Sequence, residues 1–533
     1  TLIDATAATL IYRIISFVLI TAIGWGVHIV CYAGRGYMLG APRDQARSPA
    51  ARSPDDGSIV RYMSVSDGLA RSLAGVRSVD GERVTPVGWH AHSQGVETLL
   101  ASFRQVPAGE RVRLAKRTSN LFRKRVEPGA GLDVSGLGGV IAIDPVAKTA
   151  DVQGMCTYEQ LVDATLPFHL APLVIPQLKT ITLGGAVSGM GVESTSFRNG
   201  LPHESVIEMD VLTGTGDIVR CSREENVDLF RAFPNSYGSL GYAVRLKIEL
   251  EYVAPYVELQ HARFHSLCDF QEALGAVSAS GSWDGRTVHG LDGVAFSPEE
   301  QYLVLAFQAD DAPGTSDYTR DAIFYRSLQH PEGITHDFLT IRDYIWRWDT
   351  DWFWCSRAFG AQRPKVRRFW PRELRRSAFY WKLVGLDKKY DLEYRFLKKP
   401  KNLPRTERVV QDIEVTDAHV AEFLDWFFQA SEIEPVWLCP IRLRSDSAAL
   451  SQLGLPEHAP WPLYPLEPGT TWVNVGFWSG VPADHVSPAQ EPGAFNKVIE
   501  RKVSELGGHK SLYSEAFYDR PEFERLYGGD LPE

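Results

Sequence analysis

The chain has 533 residues, of which 44% are hydrophobic and 23% are charged, a composition typical of a globular protein with a large apolar core. This length predicts roughly three domains. The formal net charge of −10 argues against nucleic acid as the main partner. The six cysteines are far apart and include no Cys-x-x-Cys pair, so the sequence predicts isolated thiols in a reducing compartment, with neither a metal site nor a disulfide framework.

The N-terminal region contains a 20-residue apolar stretch, Ile14 to Ala33, without Asp, Glu, Lys or Arg. About 20 apolar residues span a bilayer as a helix, whereas the apolar part of a signal peptide is usually shorter. The stretch therefore predicts a single-pass transmembrane helix, and the arginines that follow it place the rest of the chain on the cytoplasmic side. A translated upstream region or a cleaved leader is the alternative. Residues 40–56, rich in Pro, Ser, Ala and Arg, predict a flexible tether.

Residues 84–253 combine helical and alternating apolar spacing, which predicts an α+β domain. In chain order, the predicted elements are a helix at 96–106, a hairpin of 140–143 with 149–152, a helix at 158–166, a strand at 180–183, a hairpin of 206–212 with 218–221, a helix at 227–233 and a strand at 243–250. Near the C-terminus, 436–443 and 472–476 also have the composition of strands.

A glycine-rich run, Gly184 to Gly191, follows the predicted strand at 180–183 and holds four glycines in eight residues. Its spacing, G-G-x-x-x-G-x-G, is neither the Rossmann fingerprint nor the P-loop. Because glycine has no Cβ, such a turn lets the main chain lie against a phosphate or a ring system. The alternative is a loop that simply joins tightly packed strands.

With four other segments, this run resembles the PCMH-type FAD-binding domain of the vanillyl-alcohol-oxidase superfamily, and the chain as a whole resembles the Δ24-sterol reductases of the Diminuto family. The segments that carry the resemblance are 181–201, 224–230, 238–241, 435–440 and 511–523. It implies an α+β fold with a two-subdomain FAD-binding domain and an α+β cap. The implied division is an anchor and tether at 1–60, the FAD-binding domain at 61–255, the cap at 256–435 and a C-terminal segment at 436–533 that returns to the active site.

The resemblance also implies noncovalent FAD, because the first phosphate loop lacks the Gly-His pair of relatives with covalent flavin and no Cys precedes the glycine-rich run. The residues expected to bind FAD are Arg117, Thr118, Ser119, Asn120, Thr182, Gly184, Gly185, Ser188, Gly189, Gly191, Glu193, Ser194, His203, Gly238 and Gly241. Three alternatives stay open: a solvated loop for 117–120, a tight helix-to-strand turn for 238–241, and a core or surface role for His203.

Residues 342–401 combine 17 Lys and Arg with 7 Asp and Glu and hold six of the 14 tryptophans. Cations and aromatic rings together are typical of a membrane interface, through which a lipid-like substrate would enter. The alternative is that the rings belong to the core of the cap and the charges to a solvated face.

The C-terminal candidates for acid–base chemistry are Tyr513, Glu515 and Tyr518, because a neutral Tyr or a protonated carboxylic acid can donate the proton that alkene reduction requires. Structural hydrogen bonding is the alternative for each. The leading hypothesis is an FAD-dependent reductase of a C=C bond in a sterol or prenyl-like lipid, with NADPH as donor although no second dinucleotide motif occurs. An oxidase or dehydrogenase that uses O2 or a quinone, and a membrane-tethered flavoprotein without turnover, are the alternatives. The sequence leaves the oligomeric state open.

Overall fold

The computed structural model describes residues 84–116, 129–319, 322–329, 335–358, 360–444, 451, 453–456, 459–464 and 466–527. The apolar stretch Ile14 to Ala33, the tether and the loop at 117–120 lie outside these residues. Within them, no helix has both the length and the apolar character needed to cross a membrane.

Two compact units divide the chain, and one of them, Val84–Cys355 with Arg375–Glu533, holds every sheet described below. The described residues of the other unit are 356–358 and 360–374, which contain the helix Pro364–Phe369 and the 3₁₀ turn Arg372–Leu374. The helix Cys355–Ala358 spans the junction in sequence.

The first half of the larger unit is built on a six-stranded antiparallel sheet and a small parallel pair. The strands are β1 (Val112–Leu114), β2 (Ala130–Leu132), β3 (Val140–Asp144), β4 (Thr149–Gln153), β5 (Leu170–Pro172), β6 (Val206–Leu212), β7 (Ile218–Ser222) and β8 (Tyr242–Tyr252). Strands β1 and β2 form the parallel pair, and the larger sheet has the order β3-β4-β8-β6-β7, with β5 also paired to β8. Both predicted hairpins are confirmed, since β3 pairs with β4 and β6 with β7.

The second half is built on an eight-stranded antiparallel sheet. Its strands are β9 (Tyr256–Phe264), β12 (Gly290–Ser297), β13 (Glu300–Ala309), β14 (His336–Thr340), β15 (Thr406–Thr416), β16 (Val436–Ile441), β17 (Trp472–Pro482) and β18 (His509–Lys510). Two short strands between β9 and β12, β10 (Ser282–Trp283) and β11 (Arg286–Thr287), form a separate hairpin. The order is β14-β9-β13-β12-β16-β17-β15-β18. The sheet therefore takes strands from both the predicted cap and the predicted C-terminal segment, and β16 and β17 confirm the two strands predicted there.

Side-chain alternation gives this sheet two different faces. On β17, Val473, Val475 and Phe477 join an apolar core with the helices Leu267–Ser280, Val420–Ala430 and Ala494–Glu505. Because successive side chains on a strand point to opposite faces, the intervening residues of β15, β16 and β17 face the other way, toward the first half of the unit. Polar side chains on that second face can therefore contribute to a binding site between the two halves of the unit.

The helices of the larger unit are short to medium in length. The α-helices are Gly88–Arg104, Tyr158–Thr165, Leu183–Gly189, Ser196–Asn199, Val227–Ala232, Leu267–Ser280, Phe324–Leu328, Ile341–Ile345, Ser377–Tyr390, Val420–Ala430, Ala494–Glu505 and Arg520–Tyr527. The helices predicted at 96–106, 158–166 and 227–233 are confirmed, and a capping box between Thr157 and Gln160 starts the second of them.

The strand predicted at 180–183 is wrong. Only Thr182 makes an isolated bridge there, to Thr157. The Thr182 side chain accepts a hydrogen bond from the Gly185 amide at 3.3 Å and caps the helix Leu183–Gly189, so the glycine-rich run is helical as far as Gly189 and is not a turn after a strand. N-capping by Thr overrides the β propensity of the Thr-Ile-Thr sequence.

Two tryptophans of the basic, aromatic stretch are core residues. Trp346 and Trp348 are buried, and the Trp348 ring packs edge-on against Phe324 and Trp437. For these two rings the structure favours the cap-core alternative over the membrane interface.

Candidate active site

A cavity of about 390 Å³, which we call the glycine-lined cleft, lies between the two halves of the larger unit. One wall comes from the glycine-rich run and its neighbours, and the other from the second face of the eight-stranded sheet. The predicted residues that line the cleft are Thr182, Gly184, Gly185, Ser188, Gly189, Gly191, Gly238 and Tyr513. The structure thus brings together residues more than 300 positions apart in the chain.

The glycines of this wall have different roles. A Cβ on Gly184 would come within 2.7 Å of the Gly154 carbonyl oxygen, so Gly184 is required for close packing of the backbone. A Cβ on Gly185 would meet only the Thr182 hydroxyl, at 2.9 Å, and Gly185 is exposed. At Gly185, therefore, the absence of a side chain keeps the backbone open to the cleft.

Lys116 supplies a positive charge to the same wall, and the sequence analysis missed it. Its Nζ donates a hydrogen bond to Thr182 Oγ1 at 3.0 Å, and burial lowers the pKa of the ammonium group to about 8. A half-buried cation beside an exposed glycine backbone is suited to an anionic group such as a phosphate. Lys116 directly precedes the predicted phosphate loop at 117–120, which is the signal that could have identified it.

Replacing Lys116 by Met is expected to weaken FAD binding by about tenfold to a hundredfold, because a charge-assisted hydrogen bond contributes roughly 1.5–3 kcal/mol. The wild-type affinity should also fall as the pH rises through about 8, where Lys116 loses its proton, and the variant should lack this dependence. Fluorescence titration of the apoprotein with FAD measures both effects. The matched control is Lys497→Met, on an exposed position of a distant helix; equal losses in both variants would contradict the assignment.

A loop at 235–238 closes the end of the cleft beside the glycine-rich helix. Tyr237 and Gly238 both adopt positive φ, at 51° and 86°, and the Tyr237 amide donates to the Ser188 carbonyl at 2.9 Å. Both residues line the cleft. Gly241 does not line it: its φ is 134°, and a Cβ there would collide with the Leu212 carbonyl oxygen. Gly241 therefore has a packing role in the turn into β8.

The opposite wall holds a buried carboxyl group, Asp412 of β15. Its Oδ1 accepts a hydrogen bond from Asn474 Nδ2 at 3.1 Å, and its Oδ2 accepts one from Trp478 Nε1 at 3.3 Å. Burial raises the pKa of Asp412 to about 7, since neither of these donors carries a charge. Around neutral pH, Asp412 is therefore able both to hold and to release a proton inside the cleft.

Aromatic rings surround this carboxyl group. Trp437, Trp478 and Tyr513 line the cleft, and the ring centroids of Trp478 and Tyr513 are 6.5 Å apart. Ser511 also lines it, and its amide donates to the Asp412 carbonyl at 3.0 Å. Of these residues, the sequence analysis selected only Tyr513. No local signal marks Asp412, because the same strand also carries Glu407, Arg408 and Glu414.

The other two predicted acid–base residues lie apart from Tyr513. Glu515 lines a separate groove, and its backbone carbonyl accepts a hydrogen bond from Lys510 Nζ at 2.5 Å. The Tyr518 ring lies 6.0 Å from that of Tyr527, and burial raises the pKa of its phenol. Neither of these two side chains lines the glycine-lined cleft.

A buried ion pair fixes the segment that carries Tyr513. Lys510 Nζ lies 2.6 Å from Glu500 Oε1, both side chains are buried, and the same carboxylate accepts the Phe517 amide at 3.0 Å. The pair thus joins strand β18 and the residues after it to the helix Ala494–Glu505. The position of Tyr513 depends on this clamp.

Replacing Lys510 by Met is expected to lower the free energy of unfolding by about 3–5 kcal/mol, because it leaves Glu500 as an unpaired buried charge. Urea denaturation followed by circular dichroism measures the loss. The double variant Lys510→Met with Glu500→Gln should recover part of it. The control Lys502→Met removes a solvent-exposed pair with Glu422 and should cost much less stability; a similar cost in both single variants would refute the clamp.

Glu193 and Ser194 belong to a buried network beside the cleft. Arg347 Nη2 lies 3.1 Å from Glu193 Oε1 and 2.8 Å from Asp292 Oδ2, and the Ser194 and Tyr344 hydroxyls are 2.8 Å apart. Asp292 Oδ2 also accepts a hydrogen bond from Trp437 Nε1 at 3.2 Å, which orients a ring of the cleft wall. The contribution of this network to the cleft is therefore indirect.

His203 is also outside the cleft. It is buried, with its ring 4.5 Å from that of Trp461 in an edge-on arrangement, and burial with nearby arginines lowers its pKa to about 3. The neutral ring therefore packs as a core residue at physiological pH. The predicted contacts of His203, Glu193, Ser194 and Gly241 with a cofactor stay predictions.

Comparison with known families identifies the glycine-rich half. Residues 96–222 match the family of the FAD binding domain, a range that includes Lys116 and the glycine-rich run Gly184 to Gly191. The glycine-rich half of the chain is therefore similar to an FAD binding domain. Its cleft fits FAD on two observations: a sterically exposed backbone at Gly185 and a half-buried cation at Lys116. Gly185, Ser188, Thr182 and Lys116 would hold the cofactor there.

Several of the curated proteins to which the chain is similar are sterol reductases. The chain is similar to the Delta(24)-sterol reductase of Rattus norvegicus, at 24% identity over 75% of this chain and 71% of the relative. It is also similar to the Delta(24)-sterol reductase of Arabidopsis thaliana, at 26% identity over 58% of this chain and 56% of the relative. A shorter match, at 28% identity over 39% of each chain, is to cytokinin dehydrogenase 9 of Oryza sativa subsp. japonica.

Proposed function

We propose that this flavoprotein reduces an isolated C=C bond in a sterol or prenyl-like lipid, with noncovalent FAD and with NADPH as electron donor. The FAD-binding domain and the similarity to two Delta(24)-sterol reductases support the reaction class. The observation that carries the proposal is Asp412, a buried carboxyl group in the same cleft as the cofactor-binding backbone.

Reduction of an alkene requires a hydride on one carbon and a proton on the other. Bound FAD supplies the hydride-transfer chemistry. Asp412, which lines the cleft, supplies the proton: one of its oxygens accepts a hydrogen bond from Asn474 and the other accepts one from Trp478, so the hydrogen of the acid form is not needed for either bond. Asn474 and Trp478 hold this carboxyl in position.

The rest of the wall is suited to an apolar substrate. Trp437, Trp478 and Tyr513 present large ring surfaces, and Ile181 and Met190 add aliphatic surface on the opposite side. These groups exclude water from the reacting carbons and leave Asp412 as the nearby proton source. Protonated Asp412 adds no charge to the pocket, so it is compatible with a hydrocarbon tail.

The pH dependence follows from the raised pKa of Asp412. The acid form is required, and its fraction falls as the pH rises through about 7. The rate at which substrate reoxidises the reduced protein should therefore be constant at low pH and fall about tenfold per pH unit well above 7. Stopped-flow measurements between pH 5.5 and 9 test this; a rate that increases with pH would refute the assignment of Asp412 as acid.

Product analysis tests the function as a whole. The purified full chain, incubated with NADPH and a sterol that carries a Δ24 double bond, should yield the 24,25-saturated sterol by gas chromatography and mass spectrometry. A saturated sterol without a Δ24 bond is the control and should remain unchanged. Failure to form the reduced product with FAD bound would refute the reductase.

The similarity to a cytokinin dehydrogenase favours the second candidate, in which substrate reduces the flavin and O2 or a quinone reoxidises it. In that direction Asp412 would act as a base, and activity would rise with pH through about 7. The two functions thus predict opposite pH profiles for the same residue.

A further inference from the structure

An exposed surface of the cap combines large apolar side chains with lysines and arginines. We call it the basic–apolar surface, and its exposed members are Lys382, Leu386, Lys389, Tyr390, Arg395, Phe396, Lys399, Lys401 and Leu403. Phe396 is 60% exposed, Leu403 48% and Tyr390 46%, so three large apolar side chains are exposed on one short segment. Several of them within about 20 residues form a patch of the kind that marks an interaction site.

The spacing along the helix Ser377–Tyr390 places several of these residues on one side. Lys382, Leu386, Lys389 and Tyr390 recur at i, i+4, i+7 and i+8, which is one face of an α-helix. The π-helical turn Tyr394–Lys398 and the 3₁₀ turn Lys399–Lys401 continue the surface beyond the helix end. The apolar and basic groups are therefore interleaved on one continuous segment.

The charge of this segment is opposite to that of the whole chain. Residues 382–405 contain 8 Lys and Arg and 3 Asp and Glu, whereas the chain has a net charge of −10. The three acidic side chains are each within 4 Å of a basic partner: Asp387 of Arg408, Asp391 of Arg405, and Glu393 of Lys398. Among the described residues, no carboxylate pairs with Lys389, Arg395 or Lys399. The surface is thus complementary to an anionic partner that also accepts apolar groups.

The same segment forms the edge of a large groove. The groove has a volume of about 1040 Å³. It is lined by Asp387, Asp391 and Tyr394, which alternate along the chain with the exposed residues of the surface. At its inner end Tyr237 lines both the groove and the glycine-lined cleft. Along the segment that carries Tyr513, Ser511 and Tyr513 face the cleft, while Leu512 and Ser514 face the groove. The groove and the cleft are therefore neighbours across a thin wall.

We propose that the basic–apolar surface docks on an anionic lipid bilayer. Phe396, Tyr390 and Leu403 insert at the depth of the headgroups, and Lys389 and Lys399 contact acidic lipids. This orientation places the mouth of the groove at the lipid surface. The docking rests on the exposed residues and their charge, and goes beyond the redox chemistry proposed above.

Hydrogen–deuterium exchange of the full chain tests the docking locally, since the apolar stretch at 14–33 is itself expected to bind any vesicle. Peptides from 379–403 should exchange at least about threefold more slowly with vesicles of phosphatidylcholine containing 30% phosphatidylserine than with phosphatidylcholine alone. High salt should reduce this protection, because screening weakens surface electrostatics.

The variant Phe396→Asp with Lys399→Glu should lose the protection, and the matched control is Val146→Asp, an apolar residue 93% exposed on the hairpin of β3 and β4. Circular dichroism verifies that each variant is folded. Unchanged exchange of 379–403 with both vesicle types would overturn the proposal. Slower exchange of the same peptides at higher protein concentration, in the absence of vesicles, would also overturn it, because a second copy of the chain would then cover the surface.

Discussion

Replacing Asp412 by Asn is expected to lower the rate of substrate reduction by about 10²–10⁴-fold while FAD stays bound, because the variant keeps the shape of the side chain but lacks the acidic proton. Asn474 and Trp478 both donate hydrogen bonds to the Asp412 carboxyl group. The Asn variant has only one acceptor oxygen, so its NH2 group lies against one of these donors without forming a hydrogen bond. Stopped-flow reoxidation of the reduced variant by a Δ24-sterol measures the chemical step directly.

The NADPH-dependent reduction of the variant serves as an internal control, since it requires no proton from Asp412 and should change by less than about threefold. Asp425→Asn, at an exposed position on the helix Val420–Ala430, is the matched control for the substitution itself. Near-wild-type reoxidation of the Asp412 variant by sterol would remove Asp412 from the mechanism and would make Tyr513 the acid of the cleft.

Replacing Gly185 by Trp is expected to weaken FAD binding at least about a hundredfold, or by ~3 kcal/mol, so that the protein purifies without flavin. The reason is steric: the backbone at Gly185 is open to the glycine-lined cleft, and an indole there would occupy the space of the cofactor. Gly185→Ala should have a smaller effect, because a methyl group meets only the Thr182 hydroxyl. The flavin-to-protein absorbance ratio after purification is the readout.

Gly214→Trp is the matched control. Gly214 lies in the exposed turn between β6 and β7, where a Cβ would have no neighbour within 4 Å. It should retain a full complement of flavin, and thermal unfolding should show both variants to be folded. If a folded Gly185→Trp variant retains flavin, the cofactor does not lie against this backbone and the cleft is not its site.

Elements with a strong local signal could be predicted from the sequence. The hairpin of β6 and β7 combined alternating apolar residues with a Thr-Gly-Thr-Gly turn, and the helix Tyr158–Thr165 had apolar spacing with a Thr and Gln capping box. The glycine-rich run shows the limit of such signals. Its Thr-Ile-Thr-Leu sequence favours a strand by propensity, but a single cap by Thr182 makes the following residues helical.

The far wall of the cleft could not be predicted, because its residues meet only through the register of the eight-stranded sheet. Asp412, Asn474 and Trp437 come from three strands separated by long segments, and nothing local marks their pairing. The C-terminal segment was predicted to return to the active site, and Tyr513 lines the cleft. Glu515 faces the neighbouring groove because the segment is clamped by Lys510, a tertiary contact that spacing does not encode.

A stepwise anaerobic titration tests the central claim most directly. NADPH is added to the purified, flavin-loaded chain under argon while the flavin absorbance near 450 nm is recorded, and a Δ24-sterol is then added. We expect NADPH to bleach the flavin band and the sterol to restore it, with one equivalent of sterol reduced per flavin. A band that NADPH leaves unchanged but a lipid alcohol bleaches, or a bleached band that the sterol does not restore, would contradict the account.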